Sequence, residues 1–182
     1  MEEQELAERC KNGDNVARKV LYETYADRLF GLCIRYMGNR DTAQDVLHDG
    51  FIRIFQSFHL FTWRGTGSLR AWMERVIINE SLQQIKRSKI MENQIPIEDA
   101  SEVYDMPAPD DVSQIPEKIL MRFIGELPDG YRTVFNLYVF EKKSHKEIAE
   151  MLHMNEKSSS SQLFRAKMQL AKKINEWMKD NE

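Results

Sequence analysis

Between residues 91 and 117 this sequence has no lysine or arginine, and that gap organises the rest. Residues 1–90 carry a formal charge of +2, residues 91–117 of −8 and residues 118–182 of +3, which gives the chain its −3. The acidity therefore sits in the middle. Two weakly basic units joined by an acidic connector can bind nucleic acid, with modest unaided affinity. Proline is also scarce. Of five in the chain, Pro96, Pro107 and Pro109 fall between residues 91 and 113, a stretch with no hydrophobic period that reads as an extended, mobile linker.

Cysteine is scarcer still. Cys10 and Cys33 have no Cys or His at metal-ligand spacing, and His48, His59, His145 and His153 form no cluster, so neither a metal nor a cofactor is expected. Both thiols read as buried or incidental. Spacing alone leaves a disulfide between them open, and a cytosolic compartment argues against one. There is no run of 18 apolar residues, and the opening MEEQELAERC is acidic rather than a basic, apolar leader. The expectation is a soluble cytoplasmic protein without membrane insertion. No P-loop, paired-carboxylate cleft, nucleophile motif or internal repeat appears, so nothing argues for an enzyme.

What is present is helical periodicity. With 182 residues and 42% hydrophobic content the chain can bury one sizeable core or two small ones. The pattern favours two: an all-α protein with helical domains at 1–92 and 114–182 and an acidic linker at 93–113. A short helix from Glu3 to Lys11 stops at Asn12-Gly13. Asp14 caps a longer one, on which Ala17, Val20, Leu21, Tyr25, Leu29, Leu32 and Tyr36 recur as core. RDTAQDVLHDGFIRIFQSF follows, with Ala43, Leu47, Phe51, Ile54 and Phe58 on one side and Asp45, Asp49 and Gln56 on the other. Gly50 in mid-helix should cost about 1 kcal/mol relative to Ala, so a close neighbour is expected there.

The loop FTWRGTGSL, residues 61–69, leads through Ser68 as N-cap into a helix that runs to about Ser88. Arg70, Arg75, Asn79, Lys86 and Arg87 make its polar side cationic, interrupted by Glu74 and Glu80. With Trp63 in the loop and Trp72 on the helix, aromatics stand beside cations, which suits unstacked bases on a tracked phosphate chain. Core aromatics on a basic helix would give the same pattern. Beyond the linker, Pro116 opens a helix that buries Ile119, Leu120, Phe123, Ile124 and Leu127. Pro128-Asp129-Gly130 breaks it, and Tyr131, Val134, Phe135 and Tyr138 pattern the next.

SHKEIAEMLHMNEKSSSSQLFRAKMQL, residues 144–170, then reads as two helices about a tight turn. Ser144 and Glu147 form a capping box, His153 stands at a position suited to left-handed backbone, and Asn155 is a good N-cap. At about 100° per residue, Ser159, Leu163, Ala166 and Leu170 share the inner side of the second helix. Lys157, Ser158, Ser161, Phe164, Arg165 and Met168 spread over the outer side. Hydroxyls, an aromatic and cations suit phosphates and base edges in a major groove, but an ordinary helical hairpin has the same pattern, and these residues alone leave both readings open.

Taken in order, the segments resemble the extracytoplasmic-function sigma factors of bacterial RNA polymerase, which have only conserved regions two and four. RDTAQDVLHDGFIRIFQSF resembles the helix that binds core polymerase, GSLRAWMERVIIN the melting and downstream-element helix, and LPDGYRTVFNLYVFEKKSHKEIAEML with SQLFRAK the upstream-element domain. The resemblance implies that Asp45, Asp49 and Gln56 face the polymerase. It implies that Trp63, Arg64, Gly65, Ser68, Arg70, Trp72, Arg75, Asn79, Lys86 and Arg87 meet the melted downstream element, the loop capturing a flipped base. Lys157, Ser158, Ser161, Phe164 and Arg165 would meet the upstream element. Core polymerase, promoter DNA and an anti-sigma factor are the implied partners.

The sequence departs from that family's habit at His48 and Gly50, where Gln and Thr are usual, and at Lys157, Ser159, Ser160 and Gln162. Fewer cations there imply fewer phosphate contacts, and Ser159 turned toward the core is expected to cost stability. The rival expectation is a polymerase-independent helix-turn-helix regulator. A protein-binding helical module is a third.

Overall fold

The computed structural model describes residues 2–91, 105–107 and 112–181. Most of the expected acidic linker, residues 93–104 and 108–111, lies outside the described residues. The chain divides into two compact units, residues 1–92 and 93–182. Among the described residues there are helices and turns and no strand.

In the first unit, α1 (Glu3–Lys11) buries Leu6, Ala7 and Cys10. The Asp14 carboxylate then accepts from the Val16 and Ala17 N–H groups to start α2 (Asn15–Met37). Hydrogen bonding from Arg9, and next from the Ala17 N–H, holds the Asp14 carboxyl below its usual pKa. Gly38, at φ 74°, ends α2 in the left-handed region that glycine enters without strain. Asn39 caps α3 (Arg40–Ser57) through the Thr42 N–H at 2.8 Å. A single 3-10 turn, Phe58–Leu60, leads to the loop and to α4 (Ser68–Met91).

Leu21, Leu29, Tyr36, Ile54, Phe58, Leu69, Met73 and Ile77 are fully buried where α2, α3 and α4 meet. Cys10 and Cys33 are free and buried, and desolvation pushes their thiols up to about 11 and about 12. The disulfide left open by spacing is not formed.

Three expectations for this unit are corrected. Ser68 is not the N-cap but the first helical residue. Gly67 holds the cap position, its C=O accepting from the Ala71 N–H, while Ser68 Oγ accepts from the Arg64 N–H at 3.2 Å. Glu80 does not interrupt an exposed cationic face. It follows Met73 and Ile77 at i+7 and i+3, so the helix turns it inward, and it is 5% exposed with Arg53 and Arg87 at 3.7 and 4.0 Å. The helix also runs on past Ser88 to Met91.

The second unit starts with α5 (Glu117–Gly125), for which Pro116 occupies the cap position rather than the first turn. The chain breaks at Leu127-Pro128, and Asp129 and Gly130 already belong to α6 (Asp129–Phe135). Arg132, 5% exposed, donates to the Gly125 and Leu127 carbonyls at 3.0 and 2.6 Å and to Asp129, fastening the α5–α6 corner. Burial depresses its pKa against the pull of Asp129.

α6 continues into a π-helical turn, Asn136–Phe140. The wider turn shifts the register, and Tyr138, one of the residues that pattern this helix, is 38% exposed. α7 (His145–Leu152) and α8 (Glu156–Asp180) complete the unit. Ile115, Phe123, Ile124, Leu127, Ala166, Leu170 and Ile174 form its core.

The expected close neighbour of Gly50 is Ile77. A Cβ on Gly50 would stand 2.3 Å from Ile77 Cδ1, so α3 lies against α4 at a distance no larger residue permits unless Ile77 moves. Gly50→Ala gains about 1 kcal/mol of helix propensity and incurs an overpacking cost of about 1–3 kcal/mol. A net loss of about 1 kcal/mol is expected in urea unfolding. In an Ile77→Val background, which lacks Cδ1, the same substitution is expected to become stabilising; additive effects would show that the two positions do not touch.

Candidate nucleic-acid interface

α7 and α8 form a helix-turn-helix whose turn is written locally. Ser144 Oγ accepts from the Glu147 N–H and the Glu147 carboxylate accepts from the Ser144 N–H, completing the capping box. Those bonds, with Lys143, keep the Glu147 carboxyl below its usual pKa. His153 takes the left-handed conformation at φ 54°, and Asn155 Oδ1 accepts from the Ser158 N–H at 2.7 Å. All three signals were legible in the sequence.

α8 packs against α6 and α7 through Ser159, Leu163, Ala166 and Leu170, all buried as expected. Lys157, Ser161 and Phe164 are exposed, Phe164 to 52%, and Ser158 and Arg165 are half-buried. Met168, expected on the outer side, is buried, as is Ala171. Beyond Arg165 the helix is covered on more than one side, and its exposed residues are Lys172, Glu176, Lys179 and Asp180.

The expected cost of Ser159 is offset. Its Oγ and His145 Nδ1 share a hydrogen bond at 2.9 Å, and the His145 ring stacks on Tyr138 at 4.8 Å. The buried hydroxyl thus joins α7 to α8. Arg165 donates to the Tyr131 hydroxyl at 3.3 Å, which links it to α6. An open concavity of about 330 Å³ is lined by Asn155, Lys157, Ser158, Ser161, Gln162 and Arg165. It gathers every expected upstream-element residue except Phe164, and adds Asn155 and Gln162. Gln162 was missed although its spacing from Ser158 and Arg165, i+4 and i−3, placed it on their stripe; its Oε1 is buried without a hydrogen-bond partner.

In the first unit, Asp45, Asp49 and Gln56 are exposed along the outer face of α3, with His48 and the 43% exposed Ile52 among them. The 61–69 loop grows from an aromatic base. Phe61 is buried, and Trp72 packs at 5.1 Å from Phe58 and 5.2 Å from Phe61, so the Trp72 ring is engaged in the fold. In the loop itself Trp63 is half-buried and Arg64 exposed, with Gly65 and Gly67 at φ 108° and 86°.

Arg70, Arg75, Asn79, Lys86 and Arg87 are all exposed on α4, but they do not form one group. Trp72, Arg75, Asn79 and Lys86 fall within a sector of about 60°. Arg87 lies about 60° beyond one edge of it and Arg70 about 160° from Trp72, nearly on the opposite side, each 4.0 Å from a carboxylate, Glu80 and Glu74 respectively. Glu74 is also held by Arg28 at 2.7 Å. The free cationic stripe is therefore narrower than the composition of the helix implies.

Two family models match where these features lie: Sigma-70 region 2 over residues 21–90 and Sigma-70, region 4 over residues 117–170. The chain belongs to the sigma-70 family. Its relatives place it in the extracytoplasmic-function group. It is 27% identical to the RNA polymerase sigma-H factor of Pseudomonas aeruginosa over 95% of this chain and 94% of that one. It is 26% identical to the ECF RNA polymerase sigma factor SigW of Bacillus subtilis, over 90% and 92%. The sigma factor RpoE of Bartonella quintana, solved in complex with the anti-sigma factor NepR, shares the fold with a TM-score of 0.51 at 16% identity, over 86% and 96%.

As a sigma factor, this protein is a non-enzymatic initiation factor that serves promoter recognition by RNA polymerase. No helix among the described residues is long and apolar enough to cross a membrane, and none of their His, Cys, Asp and Glu side chains group as a metal site. For the helix-turn-helix of this sigma factor, Ser159→Ala removes the partner of His145 and is expected to destabilise the C-terminal unit by about 1 kcal/mol. Urea unfolding followed on α7 and α8 amide signals checks it; an unchanged midpoint would mean that the bond contributes nothing net.

Proposed function

We propose that residues 1–92 attach this sigma factor to core polymerase and capture the melted downstream element, and that residues 114–182 dock on the upstream element. The observation that carries this reading is the separation of unlike surfaces within the first unit. The outer face of α3 exposes Asp45 and Asp49, which suit a basic partner, while the half-buried Trp63 stands in the loop that leads into α4, whose exposed Arg75, Asn79 and Lys86 share one sector. Attachment and strand capture then use different residues.

Capture follows from chemistry available to these side chains. Unpairing a base costs a few kcal/mol, and a pocket that stacks and hydrogen-bonds it offsets the cost. An aromatic surface contributes about 1–3 kcal/mol per stacked base, and a cationic stripe follows the phosphates. Upstream, the concavity on α8 offers hydroxyls and amides to base edges, with Lys157 and Arg165 as the cations. An arginine there can donate two parallel bonds to guanine. The bound partner of Bartonella RpoE supports an anti-sigma factor as a further partner, and work alongside polymerase places the protein in the cytoplasm.

Asp45→Lys is expected to leave the fold intact, because the side chain is exposed, and to abolish polymerase binding, because a like-charge clash in an interface costs several kcal/mol. Pull-down with purified core enzyme tests this; normal capture by a folded variant removes α3 from the interface. Trp63→Ala and Asn79→Ala are expected to load onto polymerase normally, to lose open complex on a duplex promoter and to recover partly on a pre-melted one. Equal losses on both templates would assign these residues to docking instead.

A further inference from the structure

Two long-range hydrogen bonds converge on the capture loop from one source. Glu3 Oε2 accepts from the Gly67 N–H at 2.6 Å, and Lys11 Nζ donates to the Phe61 carbonyl at 3.4 Å. Glu3 is the first residue of α1 and Lys11 the last, while Phe61 and Gly67 bracket the segment that carries Trp63 and Arg64. One nine-residue helix thus holds the loop at both ends. α1 precedes the segment matched by the region 2 model, which begins at residue 21.

The chemistry at Glu3 is that of a cap supplied from a distance. Gly67 occupies the cap position of α4, and its N–H is among the donors that a helix start leaves without an intrahelical partner. At φ 86° it is also a residue whose conformation little else constrains. The carboxylate satisfies that donor and places negative charge at the positive end of α4. Glu3 Oε1, however, is buried and has no hydrogen-bond partner, an arrangement that costs free energy. A carboxylate kept half-satisfied in order to hold one N–H is arranged for geometry more than for stability.

We propose that α1 is the buttress of the capture loop and that Glu3 is a positioning residue for strand opening, acting through Gly67 on the placement of Trp63. This deepens the capture reading given above and rests on it. Recruitment through α3 does not involve Glu3, so the two activities separate on substitution.

Holoenzymes carrying Glu3→Ala, Glu3→Gln and Trp63→Ala test it, each assayed for core binding and for open complex on duplex and pre-melted promoters. Glu3→Ala is expected to bind core as wild type and to form about tenfold less open complex on duplex, the size that goes with one charge-assisted hydrogen bond. It should lie within about twofold of wild type on the pre-melted template, and Glu3→Gln, which keeps an acceptor oxygen, should restore opening. Hydrogen exchange in the free protein should show the Gly67 amide losing protection in Glu3→Ala while the α4 amides around Ile77 keep theirs.

If Trp63→Ala is defective and Glu3→Ala opens duplex normally, the buttress is overturned and the capture reading stands. If Trp63→Ala opens duplex normally, the capture reading fails and the buttress fails with it. Loss of core binding or of protection throughout α4 in Glu3→Ala would make Glu3 a packing residue and overturn the proposal.

Discussion

How closely α3 can lie on α4 decides the geometry of the N-terminal unit. At Gly50 the backbone of α3 meets the side chain of Ile77 with no room for a methyl group unless that side chain shifts, and this contact sets how closely the two helices approach. The acidic face of α3 and the Arg75–Asn79–Lys86 stripe of α4 are fixed relative to each other by a hydrophobic joint that neither surface includes. Close packing of this kind has little compressibility, so the two surfaces move as one body. The loop between the helices is then held by its aromatic base beneath and by α1 at its ends.

The C-terminal unit solves a different problem, because the long α8 must be held firmly by a short partner. α7 is eight residues long and has little apolar surface to offer. The joint between α7 and α8 is therefore partly polar, with Ser159 bonded to His145 and His145 stacked on Tyr138. A satisfied buried pair of this sort fixes register as well as distance. Arg132 plays a comparable part at the α5–α6 corner, where it satisfies carbonyls that a helix end would otherwise leave open.

The features legible in the sequence were those decided within one turn of helix. The Asp14 and Asn155 caps, the capping box at Ser144, the left-handed His153 and the inner face of α8 all follow from neighbours up to four residues apart. What was not legible depends on partners far along the chain. Glu80 looks like a surface charge until Arg53, from another helix, is placed beside it. Ser159 looks costly until His145 arrives, and nothing near Trp72 in the sequence shows that its half-buried ring packs on Phe58 and Phe61. Ser68 was misread by a single position because Gly67 takes its cap from Glu3. The expected site residues were placed largely where helical geometry put them, and the tether of α1 to the loop had no local signal at all.

α8 is one unbroken helix of 25 residues, roughly 37 Å long, and it divides its labour along its length. The outward residues before Arg165 contribute little to the core, whereas beyond it Ala166, Met168, Leu170, Ala171 and Ile174 are committed to packing and Lys172, Glu176 and Lys179 remain exposed. Exposed positions such as Lys157, Ser160 and Ser161 tolerate change within about 0.5 kcal/mol of stability. That outward face can therefore change by point mutation without approaching the threshold of unfolding. Duplicated copies of such a gene could diverge on that face while keeping the same scaffold, because the side chains that hold α8 in place are not the ones that change.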